Sequence, residues 1–334
     1  MALKIGINGF GRIGKLVFRA ALEQGGIEIV GINDLMTTTQ IAHALKYDST
    51  QGQFTGKIEI AEDSITVEGK KIRCTAIKDP AELKWSDVGA QIVVEATGIF
   101  ATAEACKKHL AAGAKKVLLT VPPKDKTGEI KLIVMGVNDE TLKPGDALVS
   151  NASCTTNCLA PAAKVIHQTF GIEHGLMTTI HAYTNDQRTL DQVHKDPRRA
   201  RAAALSMIPT TTGAARAVGK VLPELNGKLD GMSIRVPTPT GSVVDLTCVL
   251  KKSTTAEEVN AALKKASEGS LKGILAYTEE PIVSVDIVHN PASSIIDALS
   301  TSVMGGNLLK ILTWYDNEWG YSSRCIDLMK KMAG

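Results

Sequence analysis

Two cysteines stand four residues apart in SNASCTTNCL, residues 150–159, wrapped in hydroxyls and amides. A cysteine attacks as its thiolate, and a helix N-terminus or a nearby cation is what favours that form. SNAS is rich in residues that cap helices, and CTTNCLAPAAKVIHQTF after it has a helical apolar period, so a helix is expected to begin at Cys154 and to distort or restart at Pro161. Cys154 then lies in the first turn, where the helix dipole is expected to lower its thiol pKa. Cys158 lies one turn deeper and reads as a packing residue. No adjacent histidine or further cysteine completes a four-ligand zinc site, so no metal is expected.

A thiolate needs a base or ion-pair partner. Of the seven histidines, His181 in TTIHAYTND falls at the end of a predicted strand with polar residues following. A histidine pKa near neutrality would suit proton transfer there. A Cys/His pair also serves cysteine hydrolases, but those have no use for the glycine pattern at the other end of the chain. In NGFGRIG, Gly9, Gly11 and Gly14 have the G-x-G-x-x-G spacing, after a predicted strand and at the start of a predicted helix. The first glycine permits a tight turn, the second a close approach of backbone to a pyrophosphate, the third close helix–strand packing. Asp34 ends the second predicted strand 20 residues after Gly14, where a carboxylate accepts from ribose hydroxyls and repels a 2′-phosphate, so NAD is expected over NADP.

The elements that must carry these groups follow from periodicity. Leu3–Gly9, Gly26–Asp34, Gln91–Gly98 and Lys115–Pro122 read as strands; Gly11–Gln24 and Thr102–Gly113 read as helices. That alternation predicts an α/β fold, a Rossmann-type doubly wound parallel sheet. After Cys154 the texture changes to alternating runs, GLMTTIHAYT, GMSIRVPTP, SVVDLTCVLKK and IVSVDIVH, with helical segments between them. They predict an α+β catalytic domain with a large mixed or antiparallel sheet. The expected division is 1–152 for NAD binding and 153–317 for catalysis, with a C-terminal helix, 318–334, returning to the first domain.

The 334 residues suit about two domains. A net charge of +3 is too weak to indicate a nucleic-acid partner. No apolar run approaches the roughly 18 residues of a membrane span, and the N-terminal residues lack the pattern of a secretory leader. Six scattered cysteines suit a reducing, cytoplasmic setting.

INGFGRIG, SNASCTTNCLAP, HAYTNDQ, PTTTGAARAVGKVLPEL, RVPTPTGSVVDL and WYDNEWGYSSR follow one another along the whole chain, and together they resemble phosphorylating glyceraldehyde-3-phosphate dehydrogenase. The resemblance implies that Cys154 attacks the aldehyde of glyceraldehyde 3-phosphate and that His181 is the base. It implies a thioester that inorganic phosphate cleaves to an acyl phosphate. It implies that Ser153, Thr155, Thr212 and Gly213 hold the attacking phosphate, that Thr184 and Arg235 grip the substrate phosphate, and that Arg201 adds a phosphate contact, with Arg198 and Arg199 close enough to confuse the register. Arg12, Ile13, Thr97, Gly98, Asn317 and Tyr321 match cofactor positions, and a homotetramer is implied. Two departures stand out: TVPPKDK replaces a common serine-alanine-proline sequence while Thr120 keeps a hydroxyl, and Lys78 stands where arginine is frequent near the adenine. Erythrose-4-phosphate dehydrogenase and an NADP-using triose phosphate dehydrogenase are the related alternatives. The intact PTTTG block favours the triose enzyme.

Overall fold

Each strand of the first predicted domain is short and apolar on both faces, which suits a parallel sheet covered by helices. The computed structural model describes residues 2–334, which divide into two units. The first contains residues 2–133, 140–152 and 322–334. Strand β1 (Leu3–Asn8) turns at Gly9 into α1 (Arg12–Gln24), whose Leu16, Val17, Phe18, Ala20 and Ala21 are fully buried. The chain returns as β2 (Ile27–Asn33), parallel to β1. Helix α2 (Thr38–Lys46) starts with a capping box between Thr37 and Gln40. An antiparallel edge follows: β3 (Ile58–Ile60), β4 (Ser64–Val67) and β5 (Lys70–Thr75). Then β6 (Ile92–Glu95) pairs with β1 on the side away from β2. Helix α3 (Ala103–Ala111), capped by the Thr102 hydroxyl, leads to β7 (Lys116–Leu119), followed by β8 (Lys131–Leu132) and β9 (Leu148–Ser150).

The sheet order is β3-β4-β5-β2-β1-β6-β7-β9-β8. Because β2 and β6 flank β1, the winding reverses between β1 and β6, and the crevice past their C-terminal ends is where such sheets bind ligands. Gly9 and Thr97 stand directly beyond those ends.

The second unit contains residues 134–139 and 153–321. Helix α4 (Cys154–Phe170) opens it. It runs through Pro161 without a break, against the distortion expected from sequence. One intrahelical hydrogen bond is lost there, but Leu159, Ala160, Ala162 and Ala163 are fully buried, and packing holds the helix in line. Next come β10 (Ile172–Ala182), β11 (Ile208–Thr211), α5 (Ala214–Val221), β12 (Leu229–Val236) and β13 (Ser242–Leu250). After α6 (Ala256–Glu268) follow β14 (Leu275–Thr278), β15 (Ser294–Met304) and β16 (Leu308–Tyr315), and α7 (Trp319–Ala333) ends the chain. The seven strands form a mixed sheet, β11-β12-β10-β13-β16-β15-β14. The register of β10 on β12 sets His181 opposite Arg235.

The expected strand in IVSVDIVH does not form. Residues 282–289 fold into successive turns, in which the Val283 N–H donates to the Asp286 carboxylate at 2.7 Å and Val283 and Val285 face out. The alternation of Val and Ile with polar residues mimicked a half-buried strand, but the Asp side chain captured the backbone donor first.

Candidate active site

Cys154 is the first residue of α4. The preceding Ser153 is its N-cap, with Oγ accepting from the Thr156 N–H at 3.1 Å. Ala152 before it takes a left-handed conformation (φ 55°), a strain of roughly 1–2 kcal/mol for a residue with a Cβ. Strain of this kind collects at functional turns. Cys154 keeps partial solvent access, whereas Cys158 is fully buried with its thiol directed at the Thr313 carbonyl and hydroxyl, as a packing residue.

His181 ends β10 and brings Nε2 to 3.5 Å from the Cys154 Sγ, although 27 residues separate them. Its Nδ1 lies 2.7 Å from the Ala182 carbonyl oxygen and 2.7 Å from Nη1 of Arg235. That guanidinium also donates to Ala182 O at 3.1 Å. Behind the pair stands Tyr315, its ring edge-on to His181 at 5.8 Å and its hydroxyl shared between Thr155 Oγ1 at 2.9 Å and Thr179 Oγ1 at 2.8 Å.

The electrostatics correct two expectations. Burial pushes the Cys154 thiol up, and the pull of Arg235, of the Thr155 hydroxyl and N–H, and of the helix's first N–H does not overcome it. Burial first, then the charge of Arg235, push His181 down to about 3, against the Ala182 carbonyl, which favours the charged ring. Burial thus works against the charged form of both partners, and Arg235 works against the charged ring while favouring the thiolate. The expected lowering of the Cys154 thiol by the helix terminus is outweighed, because desolvation exceeds the field of one helix end.

The residues named for phosphate lie in the same unit. Ser153 and Thr155 open α4, and Thr212 and Gly213 precede α5, whose first residue, Ala214, accepts from the Thr156 hydroxyl at 3.4 Å. Two helix N-termini thus meet side by side, an arrangement suited to an anion. The Thr155 hydroxyl is buried and bound to Tyr315, turned into the protein. Thr184 Oγ1 donates to Gln187 at 3.3 Å. Arg201 does not fit the role given to it: its Nε pairs with Asp191 at 3.0 Å and its side chain is 65% exposed. Arg199 instead reaches the Thr211 carbonyl at 3.3 Å and pairs with Asp186 at 2.6 Å. A run of three arginines within four positions offers no sequence cue to choose among them. Asn317 is buried, with its amide oxygen accepting from Gly241 N–H at 3.2 Å and from the Ser242 hydroxyl at 2.8 Å. Tyr321 is buried two residues into α7.

The glycine turn and most of the other residues expected for the dinucleotide lie in the first unit, Asn317 and Tyr321 in the second. A Cβ on Gly14 would stand 1.9 Å from the Gly9 oxygen, and one on Gly9 would press on the Ala96–Thr97 backbone at 2.7–2.9 Å. A Cβ on Gly11 would meet nothing within 4 Å, so that face of the turn is open to a ligand. This is the division of labour a pyrophosphate cradle needs, and NAD fits it. Asp34 accepts from Phe10 N–H at 2.7 Å and Met36 N–H at 3.1 Å, holding the carboxylate beside the turn. Ile13 follows in α1. The Arg12 side chain is committed elsewhere: its guanidinium contacts Asp48 at 2.5 Å and Thr50, so only its backbone is offered to the crevice. Thr97 donates from N–H (2.8 Å) and hydroxyl to the carboxylate of Glu95, Gly98 follows with φ 70°, and the Thr120 hydroxyl donates to the Glu95 carbonyl at 3.0 Å. Lys78 is exposed.

Sequence reasoning missed the support beneath this crevice. Glu95 and His109 are fully buried, with Nε2 of His109 2.9 Å from Glu95 and Trp85 donating to Nδ1 at 3.1 Å. Asn8 donates to the same carboxylate at 2.6 Å, and Asn33 donates to Asn8 at 2.7 Å. Since Trp85 donates to Nδ1, the ring proton sits on Nε2, and the carboxylate collects four donors. Nothing but a buried Glu, His and Trp scattered over 25 residues signalled it.

A glycine-turn crevice in one unit and a thiol–imidazole pair at a helix start in the other suit a dinucleotide-linked dehydrogenase. Residues 3–103 match glyceraldehyde 3-phosphate dehydrogenase, NAD binding domain, and residues 153–317 match glyceraldehyde 3-phosphate dehydrogenase, C-terminal domain. The chain is 58% identical to glyceraldehyde-3-phosphate dehydrogenase of Geobacillus stearothermophilus, covering 100% of this chain and 99% of that one. It is 59% identical to that of Borreliella burgdorferi, over 99% and 100%, and 55% identical to that of Salmonella typhimurium, over 100% of both. The chain belongs to the glyceraldehyde-3-phosphate dehydrogenase family and is an NAD-dependent oxidoreductase.

Proposed function

We propose that the protein oxidises glyceraldehyde 3-phosphate with NAD and releases the product as an acyl phosphate. The observation that carries the reading is the Cys154 Sγ, partly open to solvent at the start of α4 and 3.5 Å from Nε2 of His181. The thiol passes its proton to Nε2 of His181 as the sulfur adds to the aldehyde carbon, the backbone N–H of Cys154 steadies the oxyanion, and the same proton returns to that oxygen to give the thiohemiacetal hydroxyl. Nε2 of His181 takes the hydroxyl proton as the C–H bond breaks. NAD, when bound, accepts the two electrons and the hydrogen from that carbon. The thioester left on Cys154 is cleaved when an oxygen of inorganic phosphate attacks the carbonyl and the thiolate departs. Sulfur serves both steps because it is a strong nucleophile and a good leaving group.

Ser153, the Thr155 N–H, Thr212 and Gly213 are the groups assigned to inorganic phosphate, with Arg199 in place of Arg201; Thr184 and Arg235 are assigned to the substrate phosphate. Gly9, Gly11, Gly14, the backbone of Arg12 and Ile13, Asp34, Lys78, Thr97, Gly98 and Thr120 are assigned to NAD, and Asp34 is the basis for preferring it to NADP. Asn317, its oxygen held by Gly241 and Ser242 and its amide nitrogen suited to the carboxamide, and Tyr321 are assigned to the nicotinamide. The protein is further assigned to the cytoplasm, in keeping with six cysteines of which none is in a disulfide and five are buried. It is assigned to a homotetramer, in keeping with Leu190, Val193, Leu205 and Met207, each more than 70% exposed on one short stretch of chain.

The test is NADH formation from glyceraldehyde 3-phosphate with and without inorganic phosphate. Turnover should require phosphate, Cys154→Ser should abolish it while NAD still binds, and Cys158→Ser should keep a substantial share. Near-normal turnover in the Cys154 variant, or indifference to phosphate, would overturn the reading.

A further inference from the structure

In the second unit β13 lies between β10 and β16 and runs antiparallel to both, so its first residue stands where its two neighbours end. That residue is Ser242, which is buried. On one side its Oγ accepts from the N–H of Ala182, the last residue of β10, at 3.1 Å. On the other its hydroxyl donates to Oδ1 of Asn317, two residues past the end of β16, at 2.8 Å. Ala182 also sets its carbonyl oxygen 2.7 Å from Nδ1 of His181. One hydroxyl therefore joins the strand end that carries His181 to the amide assigned to the nicotinamide.

The directions of these bonds are forced. A backbone N–H only donates, so the Ser242 oxygen accepts from Ala182 and its single proton goes to Asn317. The Gly241 N–H donates to the same atom of Asn317 at 3.2 Å. An atom that receives two donors is the amide oxygen, which makes the other end of the side chain the nitrogen. That Nδ2 makes no hydrogen bond among the described residues. The surrounding turn keeps its shape by other means. Asp316, also buried, accepts from the Thr240 hydroxyl at 3.1 Å, the His289 N–H at 2.8 Å, and the N–H groups of Glu318 and Trp319 at 2.9 Å each. What Ser242 adds is the orientation of the Asn317 side chain and its tie to Ala182.

We propose that Ser242 is a positioning residue for hydride transfer: its hydroxyl fixes Asn317 as a donor to the carboxamide and holds that donor in register with the strand end bearing His181. This rests on the reading of Cys154, His181 and Asn317 given above and goes further, giving the hydroxyl behind Asn317 a part in the reaction. Ser242 itself takes neither proton nor electrons. During the oxidation hydride leaves the substrate carbon for the cofactor while the hydroxyl proton goes to Nε2 of His181, so the ring and the imidazole must be placed relative to each other as well as to the substrate. A misplacement of about 1 Å at such a step costs on the order of a hundredfold in rate. Serine suits the position because one short side chain both accepts and donates. Alanine does neither, and only the Gly241 N–H would then oppose a turn of the Asn317 amide.

The experiment uses the full chain and calorimetric titration with NAD and with ADP-ribose, which lacks the nicotinamide. Wild type should bind NAD more tightly than ADP-ribose, and Asn317→Ala should remove most of that advantage. Ser242→Ala should bind ADP-ribose within about twofold of wild type and lose about threefold to tenfold of the NAD advantage, the scale of one hydrogen bond. Added to Asn317→Ala it should change the ratio no further, because it acts through that amide. In turnover, Ser242→Ala should lower kcat by about tenfold or more with the KM for glyceraldehyde 3-phosphate nearly unchanged, and deuterium at the aldehyde carbon should slow it more than it slows wild type. Ser242→Thr, which keeps the hydroxyl, should restore both readouts. Ser242→Cys, a weaker donor and acceptor of similar size, should fall between, and decides the matter if alanine unfolds the chain. A folded Ser242→Ala protein with the wild-type ratio of NAD to ADP-ribose affinity overturns the proposal. So does an equal loss for both ligands, which marks a purely structural role, or additivity with Asn317→Ala. An unaltered ratio in Asn317→Ala removes the nicotinamide assignment and the proposal with it. None of these results touches the dehydrogenase reading, which stands or falls with Cys154→Ser.

Discussion

Replacing Tyr315 by Phe removes one oxygen from the base of the site and keeps the ring against His181. The Tyr315 hydroxyl is shared by Thr155 at 2.9 Å and Thr179 at 2.8 Å, and all three residues are at most 5% exposed. Each bond contributes about 1 kcal/mol net, and each hydroxyl left without it in the interior costs about 1–3 kcal/mol, offset in part by no longer burying the phenol oxygen. The space vacated is smaller than the roughly 30 Å³ share of a water molecule, so solvent does not repair the loss. The expected destabilisation is about 2–4 kcal/mol. It would be read as a fall in the urea midpoint with unchanged slope, at one protein concentration because association shifts apparent stability. A cycle with Thr179→Val should return a coupling of about 1 kcal/mol. A Phe variant within about 0.5 kcal/mol of wild type, or a coupling near zero, would refute the claim that this hydroxyl ties α4 to β10.

Two further outcomes follow from the crevice and from His181. Gly14→Ala, whose Cβ would sit 1.9 Å from a backbone oxygen, should lose NAD binding and about 3 kcal/mol or more of stability, whereas Gly11→Ala should unfold within about 0.5 kcal/mol of wild type and show its effect in NAD affinity alone; calorimetric titration with denaturant curves separates the two. His181 is held near 3 in the folded chain and returns to about 6.5 on unfolding, so between those values the unfolded state binds the extra proton and stability falls as pH falls. Wild type should therefore lose stability relative to His181→Asn by up to about 1.4 kcal/mol per pH unit below 6.5, with no relative change above pH 7.5; a difference independent of pH would show that His181 is not held neutral.

What the sequence alone determined was local. The glycine turn between β1 and α1, the Ser153 cap, the start of α4 at Cys154 and the alternation of the first unit are written in spacings of a few residues, because capping, φ preference and amphipathic period act over one or two turns of chain. The resemblance then extended named roles along the whole chain. Local patterns failed where a side chain competed for the backbone, as Asp286 does in the turns of 282–289, and where burial outweighed a rule, as Pro161 shows inside α4. Tertiary structure decided which distant groups meet. The parallel register of β10 on β12 sets Arg235 against His181 from 54 residues away, and β16 brings Tyr315 to Thr155 across 160. Tertiary contacts also differ between Arg199, which reaches the Thr211 carbonyl, and Arg201, which pairs with Asp191, a difference no spacing carries. The electrostatics belong to the same level: what shifts Cys154 and His181 is desolvation and a cation on another strand, and a linear sequence carries neither.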